Sequence, residues 1–375
     1  MAKHATLSAS ASHRWLACPP SALLCAEIED QSSPYAQQGT DAHELCEFLV
    51  KKALGHNVTD PTESLGTYDP EMQESAEGFR SFVMEHVTKA KEHCSDPLVC
   101  IEQRLDFSRW VPEGFGTGDC VIVADDTLHI IDFKYGVGVL VSAVDNSQLK
   151  CYALGALDTF GSLYDIRRIK LSIYQPRRGN VDTFELSIEE LLKWADEVLK
   201  PTAELASAGK GEFHAGDHCQ FCKLKATCRA RAAYSLELAK YDFIEAPSLN
   251  TDEIAAILLQ VDSLVSWADD IKAYALEQVL SGVRYPHFKV VEGRSIRKYT
   301  DENEVAKVVQ DAGYDPFEKK LMGITLMTKQ LGKKKFDELL SGLVIKPAGK
   351  PVLVQDTDPR PEFNTAKSDF NDKEI

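Results

Sequence analysis

Polar and apolar positions in the first half of the chain switch between helical and strand-like spacing. Three stretches carry apolar residues every three or four positions, and Asp69 followed by Pro70 is typical of a helix start. Shorter alternating or continuous apolar runs predict strands, two of them separated by an Asp125-Asp126 turn. The expected helices are 36–54, 69–94 and 145–160, and the expected strands are 99–105, 118–124, 127–133 and 169–174. This order predicts an α/β core over roughly residues 36–180.

The remainder of the chain predicts helices, and its composition changes after Gly282. Residues 189–205 predict an amphipathic helix, and residues 246–281 predict a long helix or linker with one apolar stripe. Beyond Gly282 we expect a smaller, mainly helical or α+β module over 282–352. Residues 353–375, rich in Asp, Pro, Asn and Lys, are typical of a disordered tail. The expected organisation is therefore a large N-terminal domain over 1–240, a linker, and a C-terminal module.

The amino-acid composition argues against some functional classes of protein. The 375 residues include 42 Lys and Arg against 58 Asp and Glu, a net charge of -16, which argues against a general nucleic-acid coat protein. The charge is uneven, because residues 282–351 hold 14 Lys and Arg against 9 Asp and Glu. A basic C-terminal module could therefore bind DNA.

No run reaches the roughly 18 apolar residues of a membrane span, and no apolar signal region precedes Trp15. We expect no membrane association and a location in the cytoplasm of whatever cell makes the protein.

Ten cysteines in a chain without a secretory signal are better interpreted as thiols or metal ligands than as disulfides. Cys219, Cys222 and Cys228 fall within ten residues, flanked by His214 and His218, which is typical of a metal or cluster site. Six others lie in apolar or helical surroundings, where free cysteine behaves as a small hydrophobe. Those expected to serve packing alone are Cys25, Cys46, Cys94, Cys100, Cys120 and Cys151.

Candidate catalytic residues cluster around the second and third predicted strands. Asp132 and Lys134 project on the same face because strand side chains alternate, and a tight hairpin would place Asp119 beside Asp132. Gln148 and Tyr152 share one helical face that could turn towards this edge. The alternative is a surface strand end with a weak ion pair. An unpaired aspartate would be costly in a central strand, which weakens that alternative.

The ordered set of motifs resembles a known nuclease family. His43, Gly118-Asp119, Asp132-Phe133-Lys134 and Gln148 to Tyr152 resemble the RecB-like branch of the PD-(D/E)XK nucleases. Cys18 ahead of the core, with Cys219-x2-Cys222-x5-Cys228 after it, resembles the iron–sulfur nucleases of the CRISPR-associated and AddB type. These likenesses cover roughly residues 8–232. The segments 290–295 and 346–351 resemble a phage-encoded family of uncharacterised nuclease-like proteins.

The resemblance implies a restriction-endonuclease-like α/β core, with a central mixed sheet flanked by helices. It implies binding of Mg²⁺ or Mn²⁺ by His43, Asp119 and Asp132, where Asp132 replaces the glutamate of many relatives. Lys134 would orient or activate water, Gln148 would support Lys134 or the phosphate, and Tyr152 would lie near DNA. Glu102 is either an outer carboxylate or an ordinary exposed strand residue, and a lone helical His43 could equally be an ordinary surface residue.

The resemblance also implies a structural [4Fe–4S] cluster that joins the ends of the nuclease domain. Its ligands would be Cys18, Cys219, Cys222 and Cys228. Only one Cys-x2-Cys pair is present, which favours the cluster, and Zn²⁺ with His214 or His218 is the alternative.

The implied function is a metal-dependent deoxyribonuclease that acts in recombination or replication, by end processing or as an exonuclease. A non-catalytic DNA-end-binding scaffold and a redox or zinc module are the alternatives. DNA is the implied partner, with a single-strand annealing protein or a helicase as further candidates. Strand polarity and oligomeric state stay open. The candidate phosphate contacts, which could equally be ordinary solvated charges, are Arg177, Arg178, Lys223, Lys225, Arg229 and Arg231.

Overall fold

A computed structural model describes residues 5–29, 34–237, 251–292, 299–318, 321–345 and 353–354 of the chain. Two compact units are present, Met1–Gly282 and Val283–Ile375, and each is described by itself. Apart from Leu353 and Val354, the tail expected over 353–375 lies outside the described residues. No helix in the described ranges is long and apolar enough to cross a membrane.

The first unit combines a β-sheet with helices that precede, interrupt and follow it. Its helices before the sheet are α1 (Ser12–Ala17), α2 (Ser21–Ala26), α3 (Pro34–Ala53) and α4 (Pro70–His93). The sheet and its connections are β1 (Leu98–Asp106), β2 (Phe115–Ala124), β3 (Thr127–Phe133), α5 (Ser147–Phe160), β4 (Arg168–Gln175) and β5 (Asn180–Ser187). The helices that follow are α6 (Ile188–Trp194), α7 (Lys200–Ser207), α8 (Arg229–Leu236) and α9 (Thr251–Leu280).

The five strands form one mixed sheet in the order β1-β2-β3-β4-β5. Strand β2 is antiparallel to both β1 and β3, β3 is parallel to β4, and β5 is antiparallel to β4. Helix α5 makes the crossover that a parallel pair requires. The expected α/β architecture with a central mixed sheet flanked by helices is thus confirmed. Strand β5 was not predicted from the sequence.

Helices cover both faces of the sheet, which explains the continuous apolar runs in β2 and β3. Val121 and Ile130 enter a core shared with α5, whereas their neighbours Ile122 and Ile131 enter a second core shared with α3 and α4. All four side chains are at most 3 % exposed. Strands that are buried on both faces need apolar residues at every position, so their sequence loses the simple alternation of a surface strand.

Local capping and proline chemistry set the helix boundaries. Asp69 caps α4 by accepting a hydrogen bond from the Met72 N–H at 2.7 Å, and Pro70 occupies the first turn, as predicted. The helix expected over 189–205 is instead divided by a wide π-turn at Ala195–Leu199. Pro201 follows directly in α7 and lacks the N–H that an α-helical bond to residue 197 would need. A wider turn before Pro201 accommodates this missing donor.

The regular secondary structure described in the second unit is helical. Its helices are α10 (Glu302–Asp311), α11 (Ile324–Leu331) and α12 (Lys333–Leu340). Asp301 caps α10 by accepting hydrogen bonds from the N–H groups of Asn303 and Glu304. Phe336 of α12 is 7 % exposed and supplies a buried apolar side chain.

The close packing of α5 on β1 gives a stability prediction. A Cβ atom at Gly155 would lie 2.9 Å from Leu105 Cβ and 3.1 Å from the Leu105 carbonyl carbon. We expect Gly155→Ala to lower the free energy of unfolding. The added methyl group overpacks the contact and destabilises the protein by about 1–3 kcal/mol. The higher helix propensity of alanine stabilises it by only about 1 kcal/mol. Urea denaturation followed by circular dichroism measures the change.

Gly39→Ala in α3 is the matched control, because no heavy atom of the described residues outside the helix's own backbone lies within 4 Å of the added Cβ. We expect this variant to be neutral or slightly stabilised. Equal unfolding midpoints for the two alanine variants would contradict the packing argument.

Candidate functional site

The β2–β3 hairpin brings two buried carboxylates together at one end of the sheet. Cys120 pairs with Ile131, so Asp119 lies opposite Asp132 in the antiparallel register. Asp119 is 8 % exposed and Asp132 is 2 % exposed. The Phe133 N–H donates to Asp119 Oδ2 at 2.6 Å, which fixes this carboxylate across the strand pair. The hairpin therefore juxtaposes the residues in the way that the strand pattern suggested.

Gln148 connects Asp132, Lys134 and Tyr152 into one polar network. Its Oε1 accepts a hydrogen bond from Lys134 Nζ at 2.9 Å, and its Nε2 donates to Asp132 Oδ1 at 3.1 Å. The same Nε2 lies 3.1 Å from the Tyr152 hydroxyl. A lysine only donates and an ionised aspartate only accepts, so the orientation of the Gln148 amide is determined by its partners. Tyr152 is buried and supports Gln148 from within the core instead of lying at an exposed surface.

His43 and Glu102 complete the cluster from α3 and β1. His43 Nδ1 lies 3.3 Å from Asp119 Oδ1. Ligand atoms of His43, Glu102 and Asp119 all lie within 4.8 Å of one another. Glu102 has a φ of +53°, a left-handed conformation that is uncommon outside glycine, and it interrupts the pairing of β1 with β2. Glu102 is thus half-buried beside the two other side chains and is not an ordinary exposed strand residue.

The pKa values at this site reflect burial and mutual charge. Burial alone would lower the pKa of His43, but the Asp119 carboxylate outweighs it and raises the pKa to about 9. Burial would raise the pKa of Asp119, but His43 and the Phe133 N–H hold it below its usual value. Burial keeps the pKa of Asp132 raised despite Lys134. Burial and the neighbouring Asp119 raise the pKa of Glu102 to about 7.

Asp132 Oδ2 is a buried oxygen without a hydrogen-bond donor in the described part of the chain. It lies 3.0 Å from Lys134 Nζ as an ion pair, but receives no hydrogen bond of acceptable geometry. Buried carboxylate oxygens are normally satisfied, so this atom has capacity for one more cationic partner. Carboxylate oxygens and an imidazole nitrogen are ligands that suit Mn²⁺, and carboxylates suit Mg²⁺. The residues therefore fit a divalent cation.

The four predicted cluster cysteines line a single small cavity. Cys18 lies at the end of α1, and Cys219, Cys222 and Cys228 come from the loop between α7 and α8. His214 and His218 line the same cavity, and His218 Nε2 lies 2.9 Å from the His214 carbonyl oxygen. The chain segments at residues 18 and 219–228 therefore meet in space, as four ligands of one cofactor would have to do.

Comparison with known proteins gives the family. A family model described as "Protein of unknown function (DUF2800)" matches residues 4–361. The chain belongs to the DUF2800 family. A solved structure described as "Crystal structure of SSO0001" is similar at 14% sequence identity and a TM-score of 0.23, covering 52% of this chain and 98% of the other.

Cys25 is the residue at the cysteine site of this DUF2800 chain that sequence reasoning missed. It is buried at 3 % exposure, which agrees with a packing role, but its Sγ lies 3.7 Å from Cys222 Sγ. The hydrogen bond with Cys222, opposed by burial and aided by Arg14, lowers the pKa of Cys25 to about 6. The sequence offered only the short spacing from Cys18 as a signal, since the partner is 197 positions away.

Two of the predicted phosphate contacts around the cysteines are engaged with Asp270 of α9. Arg231 is 3 % exposed, and its Nη1 donates to Asp270 Oδ2 at 2.5 Å. Lys225 Nζ lies 2.7 Å from Asp270 Oδ1. Arg231 lines the cysteine cavity, and its buried Nε has no acceptor among the described residues. Burial argues against Arg231 as a phosphate contact, whereas a positive charge at this cavity suits an anionic thiolate site.

The other predicted phosphate contacts are placed differently. Arg177 is half-buried, lies 3.2 Å from Glu71 Oε1 and stacks over the Tyr135 ring. Arg178 and Arg229 are exposed. Lys223 Nζ donates to the Ile28 carbonyl oxygen at 2.6 Å. Of the six, the exposed arginines are the side chains most available to a phosphate.

A separate cavity of about 270 Å³ lies at the opposite end of the sheet, around His86 and His129. None of the predicted site residues lines it. His129 Nε2 is 2.8 Å from Ser172 Oγ, and burial holds the pKa of His129 well below its usual value. Burial thus disfavours the charged form of this imidazole, whose Nε2 has a hydrogen-bond partner within the sheet, and the carboxylate cluster is the better candidate site.

Substitution of Asp270 tests whether Arg231 has a structural role or binds phosphate. We expect Asp270→Ala to destabilise the first unit by about 3 kcal/mol, because removing one partner leaves the buried Arg231 charge uncompensated. Urea unfolding followed by tryptophan fluorescence measures this change.

Asp269→Ala is the matched control at the next position of α9. The Asp269 side chain is 69% exposed, and its ion pair within the described ranges is with the exposed Lys272. Its removal should change stability by less than about 0.5 kcal/mol. An unfolding midpoint for Asp270→Ala as high as that of Asp269→Ala would argue against a structural role for Arg231.

Proposed function

We propose that the protein is a divalent-metal-dependent deoxyribonuclease of the RecB-like PD-(D/E)XK type, which processes DNA ends in recombination or replication. One observation carries the proposal. Ligand atoms of His43, Glu102 and Asp119 lie within 4.8 Å of one another, beside the network of Asp132, Lys134 and Gln148. Convergent carboxylates with an adjacent lysine are the groups that metal-assisted phosphodiester hydrolysis needs.

His43, Asp119 and Asp132 would hold the metal, with Glu102 as a further carboxylate. Bound Mg²⁺ or Mn²⁺ would supply a more acidic water and offset the charge of the phosphate. Asp119 is oriented by the Phe133 N–H, and Asp132 is oriented by Gln148. These backbone and side-chain donors preorganise the ligands, as the outer partners of metal sites do.

Lys134 is the cation that this chain itself contributes to the reaction. Gln148 Oε1 holds its Nζ 3.0 Å from Asp132 Oδ2, and the lysine side chain is 27% exposed. It is therefore accessible from solvent at the edge of the carboxylates. In this position the ammonium group would orient the attacking water and stabilise the negative charge that develops on the phosphorus oxygens.

The cysteine cavity supports a structural [4Fe–4S] cluster in preference to zinc. Four thiolates on one tetrahedral zinc ion stand about 3.8 Å apart, given Zn–S bonds of about 2.3 Å. In the described part of the chain, no three of Cys18, Cys219, Cys222 and Cys228 have sulfurs within 4.8 Å of one another. A cluster separates its thiolates because each binds a different iron. These four sulfurs are therefore less tightly grouped than the ligands of one zinc ion, which favours a cluster.

DNA as the substrate is supported by the distribution of charge. Residues 282–351 carry 14 Lys and Arg against 9 Asp and Glu, although the whole chain has a net charge of -16. A basic segment attached to an acidic catalytic unit can attract the phosphate backbone while the acidic unit limits non-specific binding. A single-strand annealing protein or a helicase is the partner class that suits such an enzyme.

Substitution of the polar network tests the activity. We expect Asp132→Asn and Lys134→Ala each to reduce cleavage of end-labelled linear DNA by about 100-fold or more in Mg²⁺ or Mn²⁺, because each removes a charge that acts on the reacting phosphate. Linear, circular and single-stranded substrates, compared side by side, report whether ends are required.

Asp126→Asn and Lys170→Ala are the matched controls, since they alter the same residue types at the opposite end of the sheet. Both should cleave at the wild-type rate. Wild-type cleavage by Asp132→Asn and Lys134→Ala would refute the proposed site. Salt-sensitive DNA binding by the wild-type protein without cleavage of any substrate would favour the non-catalytic end-binding scaffold instead.

Metal binding can be measured without catalysis. We expect calorimetry to show Mn²⁺ binding by the wild-type protein and an affinity at least about 10-fold lower for Asp119→Asn, which keeps the shape of the side chain but loses its charge. Glu85→Gln is the control, because Glu85 is exposed on α4 and pairs with the exposed Lys89. Equal Mn²⁺ affinities for wild type and Asp119→Asn would exclude Asp119 as a ligand.

A further inference from the structure

Cys25 and Cys222 form a thiol pair across two distant parts of the chain. Their sulfurs lie 3.7 Å apart, and this is the one thiol–thiol hydrogen bond among the described residues. Cys25 lies on α2 and is 3 % exposed, whereas Cys222 lies in the loop before α8 and is half-buried. The Lys223 side chain donates to the Ile28 carbonyl oxygen at 2.6 Å, which joins the two segments beside the sulfurs.

The Cys25 sulfur lies next to the loop that carries Cys222. The backbone N–H groups of Lys223 and Leu224 donate towards Cys25, and Arg14 contributes a nearby positive charge. Cys222 is the more accessible of the two thiols and would meet an oxidant from solvent first. The pair thus combines an accessible thiol with a buried resolving thiol.

We propose that Cys25 and Cys222 form a reversible disulfide when the cysteine cavity holds no metal cofactor, which makes this cavity a redox-sensitive site. The inference uses the cluster that the proposed function assigns to Cys222, because a ligating Cys222 cannot also bond to Cys25. Cys25 is not required as a ligand, since Cys18, Cys219, Cys222 and Cys228 already supply four thiols to the same cavity.

The chemistry balances with a hydroperoxide as the oxidant. Cys222 loses its proton as its sulfur attacks a peroxide oxygen, an S–O bond forms, the O–O bond breaks, and the departing hydroxide takes up a proton to become water. Cys25 loses its proton and attacks the Cys222 sulfur, an S–S bond forms, the S–O bond breaks, and a second water leaves. Two thiols are oxidised by two electrons, and the peroxide is reduced to water.

Reversal needs a dithiol reductant, which attacks the disulfide and leaves as its own cyclic disulfide. Cys222 then returns to the thiol form and is again available to a metal cofactor. Oxidation and cofactor binding therefore compete for one sulfur. A sulfur–sulfur separation of 3.7 Å requires only a small approach of the side chains to reach the bonding distance of about 2.05 Å.

Peptide mapping of the full-length protein tests the proposal. The protein is stripped of metal by a chelator under argon, treated with one equivalent of hydrogen peroxide, alkylated, digested without reductant and analysed by tandem mass spectrometry. We expect a Cys25–Cys222 cross-link in most molecules and its disappearance after dithiothreitol. The cross-link should be absent from Cys25→Ser and retained in Cys18→Ser, which removes a neighbouring cysteine of the same cavity.

Iron content and visible absorption of the untreated protein give a second readout. Cys25→Ser should retain the iron and absorption of the wild type, whereas Cys18→Ser should lose both. Loss of iron in Cys25→Ser would make Cys25 a ligand and overturn the proposal. So would joining of Cys222 to another cysteine, or its conversion to sulfinic acid without a cross-link. Absence of iron from the wild type would count against the proposed cluster alone, because the cross-link is scored on metal-free protein.

Discussion

The antiparallel register of β2 and β3 is the constraint on which the candidate site depends. Pairing of Cys120 with Ile131 sets Asp119 against Asp132, and the Phe133 N–H closes the arrangement with a hydrogen bond to Asp119. A slip of one residue would turn Asp132 towards the core of α3 and α4 and would turn Ile131 towards α5. The same register therefore keeps both cores apolar and brings both carboxylates to one edge.

Burial of two carboxylates at that edge requires compensation, and the surrounding elements provide it. His43 from α3 faces Asp119, and Lys134 with Gln148 faces Asp132. Each carboxylate thus has a separate cationic neighbour, which explains why the pKa of His43 is raised while that of Asp119 is lowered. Asp132 is less well compensated, since its Oδ2 has no hydrogen-bond donor among the residues that the structure describes. Burial of charge without a full set of partners destabilises a protein. A site with several carboxylates and an unused acceptor oxygen is therefore better explained by cation binding than by a role in stability.

Sequence periodicity was sufficient to predict the central helices and strands, because their local sequence patterns agree with the way these elements are buried in the fold. The runs in β2 and β3 are apolar on both faces, and Asp69-Pro70 is a strong helix start. Strand β5 gave no such signal: its inward-facing Asp182 accepts hydrogen bonds from Ser142 and Ala143, and its Val181 is 54% exposed. The sequence left Glu102 between an outer carboxylate and an ordinary exposed residue, because no local pattern indicates the left-handed backbone that it adopts beside His43 and Asp119.

The cysteine cavity brings the beginning of the first unit next to a segment that follows its sheet. A covalent link at this cavity would contribute to the free energy of unfolding. A covalent link that closes a loop of this length restricts the unfolded chain by about 5 kcal/mol in the chain-entropy model. A four-cysteine cofactor would make that link through Cys18, and a disulfide from Cys25 to Cys222 spans 197 positions and closes nearly the same loop. Because loop-closure entropy varies only slowly with length, the two links constrain the unfolded chain almost equally. Loss of the cofactor followed by oxidation would then replace the link through Cys18 with a Cys25–Cys222 disulfide. The sheet and its two carboxylates would stay within a closed loop of nearly the same length.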